Sequence, residues 1–251
     1  MFRFFCDKKK VVAAAPKCNH GSITVAGYKH GSQNWINQDS SFLVESIPSN
    51  KHDGGHILAG VMDGHGENGH LISGYCKSRL ITLLADSSSV SPSDRHSVEA
   101  VFETLQTEIE NEMLPAGSTS GTTMTIIRIV NGCVQAFNVG DSPAYLARRK
   151  EVNGDLELIQ LTFDFKPEDE SENRRVNSAG GQIYAKPVVN GESNEIEVGP
   201  MRVWYESDTT DETKMIGLAM TRSIGDVLAH KVRKSSISAS SSFATCSNRD
   251  V

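Results

Sequence analysis

Ile57-Leu58-Ala59-Gly60-Val61-Met62 runs directly into Asp63-Gly64-His65-Gly66. The apolar run is short and continuous, the pattern of a buried strand. It stops at a carboxylate, so the strand delivers Asp63 to its mouth. Gly64 allows a tight turn and leaves its carbonyl approachable. His65 follows, able to transfer a proton near neutral pH. Carboxylate and carbonyl oxygens suit hard cations such as magnesium or manganese. The alternative reading is an ordinary turn, which Asp and Gly also favour.

Downstream of this junction, Leu71, Ile72, Tyr75, Leu80, Leu83 and Leu84 fall at helical spacing. A Ser-rich loop separates them from a second amphipathic pattern of Val98, Val101, Phe102, Leu105, Ile109 and Met113. Residues 122–130 and 133–139 read as strands joined by Asn131-Gly132, a type I′ hairpin signal. Residues 144–148 and 156–161 suggest a second hairpin. Pro167 opens a helix with Glu168, Glu170 and Glu172 in or near its first turn, and Gly180-Gly181 closes it. Residues 190–215 are polar and turn-rich and read as a surface excursion. Met215 to Met220 is apolar again. Hairpins and helices in separate runs predict an α+β protein with antiparallel sheet.

Composition narrows the function. The chain has 251 residues, a formal net charge of −6 and 38 % apolar residues. That is a globular composition, not collagen, coiled coil or wholly disordered chain. The mild acidity speaks against a nucleic-acid protein, whose footprint is a basic face. No run approaches the roughly 18 apolar residues of a membrane helix. Five cysteines without Cys-x-x-Cys spacing argue against a disulfide framework or structural zinc. Reduced thiols make a cytoplasmic or nuclear location the expected one, and the N-terminus shows no secretory or myristoylation pattern. Residues 1–21 read as an irregular basic lead-in. Residues 232–251, with seven serines from Ser235 to Val251, read as a disordered tail.

Other carboxylates repeat the Asp63 theme. Asp39 stands in Asn37-Gln38-Asp39, Asp141 in Asn138-Val139-Gly140-Asp141-Ser142, and Asp226 in Ile224-Gly225-Asp226. Each alone reads as a turn residue. Aspartates next to glycine at the ends of apolar runs point to one acidic site.

These stretches, in this order, resemble the PPM or PP2C-type metal-dependent protein serine/threonine phosphatases. The likeness extends through Ser120-Gly121-Thr122-Thr123, Leu161 to Pro167, Arg175 to Gly181 and Leu218 to Asp226. It covers residues 22–231. The resemblance implies a sandwich of two antiparallel β-sheets flanked by helices, incomplete at the C-terminus. It implies hydrolysis of phosphoserine and phosphothreonine in protein substrates by a water activated by two Mg2+ or Mn2+ ions. The expected partners are phosphorylated proteins, with no nucleic acid or membrane, and the expected state is a monomer. Carried over residue by residue, Asp63 bridges both metals and Gly64 offers its carbonyl to one. Asp39 takes the early acidic position, and Asp141 is associated with a further metal. His65 is the general acid. Asp226 takes a structural role.

Three departures accompany the likeness. The residue before Asp39, often Glu in the family, is Gln38. The phosphate-clamping Arg is absent, with Gln33, Asn34 and Trp35 at the nearest positions and Lys29 the closest base. Two later metal aspartates, in Ser-Asp-Gly-like and Asp-Asn motifs, are also absent. They open a second reading, a truncated pseudophosphatase serving as a protein-interaction module.

Overall fold

The computed structural model describes residues 3–5, 19–27, 36–46, 56–85, 95–130, 133–149, 154–189, 196–206, 215–231 and 242–246. In chain order the strands and helices begin with β1 (Arg3–Phe5), β2 (Asn19–Gly21), β3 (Ser40–Ser46), β4 (His56–Met62) and β5 (Gly64–His65). Then come α1 (Gly69–Ala85), α2 (Arg95–Glu112), β6 (Gly121–Thr122), β7 (Met124–Val130), β8 (Cys133–Val139), β9 (Tyr145–Arg149) and β10 (Leu156–Gln160). The last are α3 (Glu170–Ser178), β11 (Gln182–Val189), β12 (Ile196–Glu206), β13 (Met215–Leu218), β14 (Ile224–Gly225), α4 (Val227–Lys231) and β15 (Ser242–Cys246).

The frame is an antiparallel five-stranded sheet in the order β15-β8-β7-β4-β3. Strand periodicity explains its two faces. Ile126 pairs with Phe137, and both join Phe42 and Met62 in the main core. Ile127 and Ala136, one step along each strand, pair on the opposite face and pack with Leu146, Ile159 and Leu161 of the β9–β10 region. The Phe42 ring lies directly over Gly60, where a Cβ would collide with it.

Helices α1 and α2 supply most of the rest of the main core, with Ile224 and Val227. Ile72, Cys76 and Leu80 stand four residues apart on α1 and are fully buried, as are Phe102, Leu105 and Ile109 on α2. Leu71, expected in the core, is exposed at 46 %; Cys76 takes the inward position at the next turn. Glu108 of α2 ties the helices together. It accepts a two-pronged hydrogen bond from Arg79 at 2.7 and 2.9 Å and another from Tyr75 at 3.0 Å.

In place of one continuous second sheet there are two separate ones, the β9–β10 hairpin and the three-stranded β11-β12-β13. The latter packs Val203, Tyr205 and Leu218 against Val176 of α3 and Ala229 of α4. The antiparallel α+β architecture therefore holds. Within it, β12 corrects the reading of residues 190–215 as a surface excursion. Gly199 and Pro200 mask the alternation that turns Val203 and Tyr205 inward.

Two further readings change. Arg3–Phe5 pairs with Asn19–Gly21 inside the supposed irregular lead-in. Ser242–Cys246 pairs with β8, from Ser242 opposite Asn138 to Cys246 opposite Val134, inside the supposed disordered tail. Sheet pairing uses backbone groups that every residue but proline carries in full, so a serine-rich segment with no apolar period can extend an open edge. The expected Asn131-Gly132 turn lies outside the described residues, although Val130 pairs with Cys133 on either side of it.

Candidate active site

The site forms where β4 ends and the short sheet β14-β6-β5 begins. The backbone of Asp63 is pinned on both sides by Thr123. The Thr123 amide donates to the Asp63 carbonyl at 2.9 Å, and the Asp63 amide donates to Thr123 Oγ1 at 3.1 Å. Gly64 is required by close packing. A Cβ there would strike the backbone carbonyl oxygens of Gln38 and Gly69.

Four of the expected residues share one neighbourhood. Asp63 opens to solvent on one side, yet partial burial of its carboxyl pushes its pKa up. The charge of Asp39, a side-chain hydrogen bond with it, and the charge of Asp141 push the same way, while His65 opposes them. Asp141 is half-buried, which raises its pKa, although Lys166 Nζ at 3.8 Å works against the rise. Carboxylates crowded in this way suit a divalent cation, which would relieve their repulsion. Among the described residues, however, no three His, Cys, Asp or Glu side chains converge to hold a metal ion. The donors that come nearest to a cation site are the Asp39–Asp63 pair, and they are poor in charge.

Gln38 is committed elsewhere. Its amide nitrogen donates to the Gly66 carbonyl at 2.8 Å and braces the glycine-rich turn. A neutral amide can give this hydrogen bond where a carboxylate could not. Gln33, Asn34, Trp35 and Lys29, the positions nearest the family's phosphate clamp, lie outside the described residues.

Asp226 is the residue whose part the sequence concealed. It is completely buried, and its Oδ2 meets His65 Nε2 at 2.6 Å and accepts from Ser223 Oγ at 2.5 Å. Burial alone would favour neutral forms of both partners. Their mutual attraction outweighs it, so the His65 pKa is raised and the Asp226 pKa lowered. Both shifts favour the charged forms, an imidazolium beside a carboxylate. The local signal available was Gly225-Asp226 at a strand end, which tells nothing of a histidine so distant in sequence.

A second buried network fixes the neighbouring segments. Glu172 of α3 accepts from Arg222 at 2.6 and 2.9 Å, from Arg175 at 2.8 and 3.1 Å and from Thr221 Oγ1 at 2.6 Å. The Arg222 guanidinium also lies over the Phe165 ring, 4.2 Å from its centroid. The Phe165 amide donates to the Gly140 carbonyl, next to Asp141. Asp169 starts α3 by capping the amides of Ser171 and Glu172, two residues beyond the expected Pro167 start.

This arrangement has relatives. The family model for Protein phosphatase 2C matches residues 29–246, so the chain belongs to the protein phosphatase 2C family. It is 29 % identical over 212 residues to "Probable protein phosphatase 2C 64" of Oryza sativa subsp. japonica, covering 82 % of this chain and 46 % of the relative. It is 30 % identical to "Probable protein phosphatase 2C 61" of Arabidopsis thaliana, covering 84 % and 59 % respectively. The chain thus spans about half the length of the curated relatives it matches. Among solved structures, a Toxoplasma gondii serine-threonine phosphatase 2C superposes with TM-score 0.53 at 16 % identity, covering 82 % of this chain and 73 % of that one. A C. elegans sex determining protein gives TM-score 0.53 at 21 % identity, covering 86 % and 50 %. At these identities the superpositions speak for the fold.

Proposed function

We propose that this chain hydrolyses phosphoserine and phosphothreonine in proteins with a divalent metal, Mg2+ or Mn2+. The observation that carries this reading is the Asp39–Asp63 pair with His65 beside it at one strand mouth. Asp39, Asp63 and the Gly64 carbonyl would hold the metal, with Asp141 reserved for a further ion. When bound, the metal supplies a nucleophilic water at neutral pH and neutralises phosphate charge. His65 holds a proton for the departing serine or threonine oxygen. The β4–β5 turn orients these groups through Thr123 and Gln38.

One observation favours a second reading, a phosphoprotein-binding module without catalysis. Among the described residues no three His, Cys, Asp or Glu side chains come together to hold a metal ion, and metal affinity falls with the charge count of the site. A cytoplasmic or nuclear location remains part of the proposal and rests on the cysteine pattern, with Cys76 and Cys133 as free thiols.

The deciding experiment is hydrolysis of a phosphothreonine peptide by purified residues 1–251 with Mn2+, beside Asp63→Asn. Activity that falls by roughly 100-fold or more in the variant supports the enzyme. Folded, soluble protein that binds the peptide but releases no phosphate supports the binding module.

A further inference from the structure

Three features converge on Asp226. It is a fully buried carboxylate, and such groups are costly unless paired. It has φ +43°, the one positive φ at a non-glycine among the described residues, and such conformations persist only where surrounding structure enforces them. Room for its side chain is made by a missing one. On β6, Gly121 pairs with His65 on one side and Gly225 on the other, and a Cβ there would strike Asp226 Oδ2. The short sheet thus sets His65 and Gly225 on either side of a residue without a side chain, and the Asp226 carboxylate crosses that gap.

The supporting contacts hold the carboxylate in place. The Asp226 amide donates to the Ser120 carbonyl at 2.9 Å. Gln106 of α2 grips Gly225 from both sides, accepting from its amide at 2.8 Å and donating to its carbonyl at 3.1 Å. A carboxylate that only capped a turn would not need to meet the ring nitrogen of a residue at the metal-site mouth.

We infer that Asp226 is a positioning residue for His65, fixing which ring nitrogen serves the reaction. Asp226 accepts the Nε2 proton, which leaves Nδ1 as the nitrogen that gives one. Nδ1 is buried and has no hydrogen-bond partner among the described residues, so the departing oxygen has to reach it inside the site. In the hydrolysis proposed above, on which this inference rests for its chemistry, the phosphorus–oxygen bond breaks and its electron pair stays with the serine or threonine oxygen. That oxygen takes the Nδ1 proton. The ring is left neutral with its remaining proton on Nε2, the tautomer that Asp226 stabilises.

The test pairs a spectroscopic measurement with a comparison of leaving groups. In wild-type residues 1–251, 15N NMR of the histidine side chains should show His65 protonated at Nε2. A neutral ring protonated only at Nδ1 would overturn the proposal, because such a ring has nothing to donate to Asp226. This measurement needs no activity, so it separates failure of the positioning role from failure of the phosphatase reading. Asp226→Asn and, should that variant not fold, Gly121→Ala are then assayed with Mn2+ on a phosphothreonine peptide and on p-nitrophenyl phosphate. The latter's leaving group departs without a proton. The loss on phosphothreonine should exceed the loss on p-nitrophenyl phosphate by roughly 10- to 100-fold. In a His65→Gln background the same substitution should leave that ratio unchanged. Equal losses on both substrates from folded protein would reduce Asp226 to a structural role.

Discussion

His65 and Asp226 are separated by 161 residues in sequence and meet at 2.6 Å across a glycine. Their contact joins the turn after strand β4 to the start of α4, so the proposed acid is anchored to a segment far along the chain. The consequences of this construction can be measured element by element.

Gly64→Ala places a methyl group against two backbone carbonyls, those of Gln38 and Gly69. Backbone on both sides cannot rotate away as a flexible side chain could. The expected loss of stability is about 1–3 kcal/mol, read from urea denaturation. The Asp39–Asp63 spacing should change with it, weakening Mn2+ binding by calorimetry.

Metal binding should stabilise the fold. A cation bound to the native state alone adds about 2.7 kcal/mol when its concentration is 100 times the dissociation constant. Thermal melts in excess Mn2+ should therefore shift upward, and chelation should reverse the shift. In Asp63→Asn the shift should be largely lost. An equal shift in both proteins would place the ion elsewhere.

The Glu172 network sets an acid limit. Burial opposes the Glu172 charge, but hydrogen bonds from Arg222, Arg175 and Thr221 prevail and lower its pKa from 4.5 to about 2. Its contribution to stability is complete above pH 4.5, where the unfolded group is also ionised, and is lost as pH falls through about 2. Glu172→Gln leaves two arginines without their carboxylate and should cost about 3–5 kcal/mol at neutral pH. Denaturation of both proteins from pH 7 to 2.5 should show the gap closing below pH 4.5.

Gln106 satisfies both backbone groups of Gly225 from inside the protein. Gln106→Ala leaves a buried donor and a buried acceptor unpaired, with an expected cost of about 1–3 kcal/mol for each. Amide exchange of Gly225 and Asp226 should accelerate more than that of the central sheet. Uniform acceleration would show that Gln106 supports the whole core instead of this strand.

Removing residues 232–251 deletes β15 and bares the outer edge of β8. An unpaired edge invites association. The shortened chain should form higher oligomers in size-exclusion chromatography coupled to light scattering. If it elutes like the full chain, the edge is protected by something other than β15.

The sequence by itself determined the local elements and brought out the near part of the candidate site. Apolar periods mark β4, β7, β8 and the two long helices, because burial of one face repeats at the pitch of each element. Asp63-Gly64-His65 was legible because its three groups are neighbours in the chain, and Asp39 and Asp141 followed from ordered motifs. Strands β12 and β15 were not legible. Glycine and proline obscure the period of the first, and the second is paired through backbone groups that carry no side-chain signature. Only the tertiary structure decided that Gln38 braces the Gly66 turn, that Glu172 gathers Arg222 and Arg175, and that Asp226 reaches His65. Those contacts depend on sheet register and on the absence of a Cβ at Gly121, and a register between distant strands is a property of the packed chain, not of any segment within it.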